Sequence, residues 1–175
     1  MELRLDEAQM LELWRQRQGI LPLRDDIEVV RTDGLDFSGR LKAEMDGWYL
    51  NLLATAPEEL LVAEDCRDVQ VNRNGGVMTV SLPEGVMRIV GVRLSCWGRS
   101  GVVVDDPDSV LARRQLCGLT RACREAPVAV WDRQAGELRL YPAAEDDRLE
   151  RLDLVVRREG VYAFDRAALQ ISSID

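Results

Sequence analysis

Four arginines, Arg113, Arg114, Arg121 and Arg124, stand within twelve residues around Gln115 and Thr120. A guanidinium fork matches a phosphate or a carboxylate. The group could therefore hold a nucleic-acid backbone, meet an acidic neighbouring subunit, or serve only local ion pairs on a solvated loop. No aromatic residue interleaves them, which weakens the nucleic-acid option, since single-strand binding uses stacking platforms. The carboxylates offer less. Asp105, Asp106 and Asp108 could meet a hard cation, but they lack the glycine and glutamate positions of a calcium loop. Turn formation and helix capping account for them. Glu145, Asp146 and Asp147 form a second acidic group. Paired carboxylates can hydrolyse glycosides, yet nothing in this spacing sets two of them across a cleft.

The 175 residues include no His. That removes the Ser-His-Asp triad, the Cys-His pair and the mixed Cys/His zinc site. Of 23 basic residues only Lys42 is lysine, so an amine nucleophile has one candidate. Cys66, Cys96, Cys117 and Cys123 lack the short CxxC spacing of redox and metal sites and read as reduced cytosolic thiols. The expectation is a protein that is not an enzyme, with no catalytic residue, no cofactor and no metal. Residues 1–20 have no signal-peptide core, and no stretch reaches membrane-span length, so no membrane partner is expected.

The net charge of −8 argues against stable nucleic-acid binding. The charge is unevenly spread: residues 1–68 carry −8, residues 69–144 carry +3, and residues 145–175 carry −3. Oppositely charged regions can join copies head to tail, or pair within one chain.

The elements that must position these residues fall into a helical front and a stranded back. Asp6 and Gln9 have capping-box spacing, and Gly19 is a natural stop, so a first helix is expected over Asp6–Gln18. Met10 and Trp14 lie on its apolar face and could dock on a neighbouring subunit. A second helix is expected over Asp36–Ala56, where Phe37, Leu41, Met45, Trp48, Leu52 and Ala56 keep one stripe. Gly47 sits inside it, which suggests close packing there. Ile27–Val30 is a short strand candidate between the helices.

After residue 66 the apolar period becomes two. Asn74-Gly75-Gly76 between alternating runs predicts a hairpin. Met87–Trp97 predicts a long strand with Val90, Val92, Leu94 and Cys96 inward. Val128–Trp131 with Glu137–Tyr141 predicts a second hairpin, and Leu152–Val156 with Val161–Phe164 a last strand pair. The fold class is α+β: an N-terminal antiparallel helix pair, residues 1–65, followed over residues 66–175 by a mostly antiparallel sheet or small sandwich with short helical insertions. Together they are expected to form one compact unit.

One series of residues goes further. Pro83–Trp97 is followed by Arg113-Arg114-Gln115, Pro127–Val130 and Leu138–Pro142. In this order they resemble tailed-phage neck proteins of the head-to-tail adaptor or tail tubular type, over about residues 35–142. The resemblance implies a structural subunit whose copies form a ring at the head–tail joint. It carries no catalytic residue, and it makes Arg88, Arg93, Arg113, Arg114 and Gln115 candidates for subunit or lumen contacts, beside Arg121 and Arg124. The expected partners are further copies of the chain or another structural protein. An acidic lumen would let DNA pass without holding it. Adaptors often end in a longer arm than residues 165–175 provide, which leaves portal docking open. The expected location is the cytoplasm of the expressing cell, or the virion. The alternatives are a cytosolic protein-binding or regulatory module, and a small hydrolase using carboxylates.

Overall fold

The structure is a computed structural model, and it describes residues 1–19 and 37–170. In chain order the elements are β1 (Glu2–Asp6), α1 (Glu7–Arg17), α2 (Phe37–Thr55), β2 (Glu64–Asp65), β3 (Val71–Asn74), β4 (Val77–Ser81) and β5 (Val86–Leu94). There follow β6 (Val102–Val104), α3 (Val110–Arg114), β7 (Val128–Asp132), β8 (Glu137–Tyr141), β9 (Leu149–Val156) and β10 (Val161–Asp165). This is the α+β class expected, with N-terminal helices ahead of a mostly antiparallel β region. The chain divides into two compact units, residues 1–62 with 157–175, and residues 63–156. The last strand thus belongs with the helices and not, as expected, with the β-rich part. The strand candidate Ile27–Val30 and the cap Asp36 lie outside the described residues.

In the first unit Asp6 both ends β1 and caps α1. Its carboxylate accepts from the Gln9 N–H at 2.8 Å, and the Gln9 side chain accepts from the Asp6 N–H at 3.1 Å. Each satisfies a helix-end donor that would otherwise be orphaned. Gly19 takes the left-handed conformation just past the helix end. The stripe of α2 buries Leu41, Met45, Leu52 and Ala56, with Tyr49 and Leu53 beside it. Trp14 meets Trp48 at 5.3 Å, Trp48 meets Phe164 edge-on at 5.5 Å, and Tyr49 meets Tyr162 at 4.9 Å. Such offset and edge contacts suit the ring quadrupoles.

Three features of this unit differ from expectation. The helices run in the same sense, not antiparallel, because Glu7 reaches Lys42 at 2.7 Å while Trp14 reaches Trp48. β1 was not foreseen; it pairs antiparallel with β10, from Glu2 opposite Asp165 to Asp6 opposite Val161. Gly47 is exposed and not closely packed: among the described residues, a Cβ there would meet no atom within 4 Å beyond its own helix backbone.

The second unit is a small sandwich. A five-stranded sheet, in the order β3-β4-β8-β7-β6, shares one core with the three-stranded sheet β2-β9-β5. Met78, Val80, Leu138 and Leu140 come from the larger sheet, and Val92, Leu94, Leu152 and Leu154 from the smaller. Both foreseen hairpins form, β3–β4 around Gly75 and Gly76 and β7–β8 around Gly136, all three glycines at positive φ. Two pairings differ. β9 pairs with β5 and β2, not with β10, and β6 lies parallel to β7. The alternation foreseen along β5 also slips. A bulge between Ile89 and Gly91 turns Ile89 toward the core in place of Val90.

Two contacts lock the ends of β5 and β8. The Trp97 indole N–H donates to the Pro142 carbonyl at 2.7 Å, and Gly101 leaves room for that ring: a Cβ there would lie 2.6 Å from it. The buried Asp147 carboxylate accepts from the Ala144 N–H at 2.6 Å, the Cys96 thiol at 2.8 Å and the Ser95 hydroxyl at 3.3 Å. Burial pushes the Asp147 pKa up. These hydrogen bonds, with the charge of Arg124, outweigh burial and hold it below the ordinary carboxylate value.

Two outcomes follow. Gly47→Ala relieves a mid-helix glycine without a clash, and should stabilise the fold by about 1 kcal/mol, read as a higher thermal midpoint. Asp147→Ala should cost about 1–3 kcal/mol in urea unfolding, because buried donors lose their acceptor. The Asp147 pKa is lower folded than unfolded, so its contribution is full above the unfolded value and fades as pH falls through the folded one. Below about pH 4 the wild type should therefore lose stability more steeply than the variant.

Candidate interaction surface

β6 and β7 are parallel neighbours, so the chain between them must cross from one end of the pair to the other. That crossover, residues 105–127, contains the arginine group. Asp106 accepts from the Asp108 N–H at 2.9 Å, an Asx turn, and Ser109 caps α3 by accepting from the Ala112 N–H at 3.2 Å. Ala112 is the buried side of α3, packed with Val128, Val130 and Tyr141. The remainder of the crossover is held by polar contacts. Gln115, only 1% exposed, donates to the Leu111 carbonyl at 3.0 Å and accepts from the Ala122 N–H at 2.8 Å. Arg121 donates to the Gln115 carbonyl at 3.0 Å and the Gly75 carbonyl at 2.9 Å, and lies over the Tyr141 ring.

This internal scaffold turns the apolar side chains outward. Among the described residues, four of the seven exposed large apolar side chains come from this crossover, Val110, Leu111, Leu116 and Leu119, and a fifth, Val102, lies on the adjoining β6. Leu119 is 97% exposed and Leu116 74%. Arg113 and Arg114 stand exposed on α3 next to them in the chain, Arg113 loosely paired with Asp108 at 3.6 Å. From Ser109 to Arg124 the crossover has four arginines and no acidic residue. A basic rim around exposed leucines is the composition of a protein interface, with apolar anchors inside and polar groups outside.

The sequence-predicted contact residues therefore separate. Arg113 and Arg114 belong to α3 beside these leucines, whereas Arg124, also exposed, stands at the other end of the crossover, where its charge bears on Asp147 and Cys96. Gln115 and Arg121 do not serve the surface directly; they are the struts that shape it, because the crossover's backbone groups need partners away from water. Arg93 is exposed on β5 and pairs with Glu150 at 3.5 Å, and Arg88 is half-buried on the same strand. Met10 and Trp14 are buried in the first unit and present no docking face there. The exposed leucines were missed as a site, although Leu116 and Leu119 beside Gly118 in an irregular basic stretch were the available signal.

The carboxylate groups disperse. Asp105 pairs with Arg133 at 3.6 Å, and among the described residues no three His, Cys, Asp or Glu side chains converge as a metal site. A polar pocket of about 120 Å³ in the first unit gathers Lys42, Glu7, Asp46, Tyr49 and Tyr162. Tyr162 donates to Asp46 at 2.6 Å, and burial together with this bond raises its pKa. The bond to Glu7 raises that of Lys42. Both groups thus hold their protons through neutral pH. Among the described residues no helix is long and apolar enough to cross a membrane. No family model matches the chain, and no curated protein or solved structure matches it.

The four thiols differ in kind. Burial and the bond to Asp147 push Cys96 up to about 11. Cys117 is exposed on the crossover, and hydrogen bonding from the Leu119 and Thr120 groups holds it below the ordinary thiol value. Since the thiolate is the reactive form, Cys117 should react first with a chromogenic disulfide reagent at pH 7.5. Cys96 should stay silent until denaturant is added. Mass mapping of the labelled peptides checks the order.

Proposed function

We propose that this protein is a non-enzymatic assembly subunit that acts by joining to further copies of itself, in the manner of a head-to-tail connector in the neck of a tailed phage. The supporting observation is the crossover. It gathers the exposed leucines of the described chain and a set of arginines onto one loop, and it spends a buried glutamine and an arginine to hold that loop in shape. Rings and filaments grow through heterologous contacts, which need two different complementary patches on each copy. A basic, apolar loop on a chain of net charge −8 supplies one such patch and an acidic surface for it to meet. The segments that resemble neck proteins also coincide with β5, β7 and β8 of the second unit and with α3 inside the crossover.

Light scattering across a concentration series should show mass rising above 19.8 kDa to a closed oligomer, with rings visible by electron microscopy. Raising salt should move the transition to higher protein concentration, because the arginine contacts are screened. A strict monomer at every concentration would overturn self-assembly and return the crossover to the alternative, a binding module for a different protein.

A further inference from the structure

We draw no further inference here: the strongest candidate, the groove that Leu3 and Leu5 of β1, Leu13 of α1 and Leu169 line in the first unit, is edged by both Glu12 and Arg166, and nothing in the structure shows what covers it.

Discussion

The buried Asp147 carboxylate accepts from the Ala144 N–H, the Cys96 thiol and the Ser95 hydroxyl at the edge of the sandwich, where β5 ends. A bare charge there would be untenable; a charge with three donors is a fastener. It ties the end of β5 to the turn that leads into β9, and Arg73 reinforces the same turn by donating to the Asp147 carbonyl at 2.8 Å. The Trp97–Pro142 bond closes the neighbouring gap between β5 and β8. With those ends fixed, Tyr141 is fixed, and Tyr141 is the platform under Ala112 and Arg121. The shape of the crossover is therefore set from the core outward.

The crossover shows how a fold can present apolar side chains without unravelling. A parallel strand pair obliges a long connection, and a long connection must satisfy its own backbone. Here Gln115 and Arg121 take that task, using amide and guanidinium groups where a helix or hairpin would have used its own ladder. The leucines are thereby freed from structural duty. A chain that holds a loop rigid from within while leaving its apolar side chains in water bears a solubility cost, and exposed apolar patches of this kind commonly mark interaction sites.

Much of this architecture is legible along the sequence. Asp6 with Gln9, the stripe from Leu41 to Ala56, and the glycine turns at 75–76 and 136 are local signals, and each marks the element it should. What escaped is non-local. The alternation Glu-Leu-Arg-Leu-Asp in β1 is too short to read as a strand until β10 lies beside it. β9 and β10 are adjacent in sequence and invite pairing, yet their partners lie far back in the chain. The bulge in β5 shifts the inward face by one residue, which no periodicity announces. In the arginine group, residue type alone could not separate Arg121, a strut, from Arg114, a surface residue. That distinction depends on Gly75, brought close only by the folded hairpin.

The first unit is assembled from both ends of the chain, with β1 paired to β10 and Glu2 opposite Asp165. Ribosomes make chains from the N-terminus. The second unit, residues 63–156, is contiguous, and all its strands are available while β10 is still unmade. β1 and the two helices must meanwhile wait with Leu3, Trp14 and Trp48 lacking their strand partner. The first unit is thus completed last, and only on chains translated through residue 165. A chain cut short by premature termination before β10 would carry a finished second unit, crossover included, beside a first unit lacking the strand that pairs with β1.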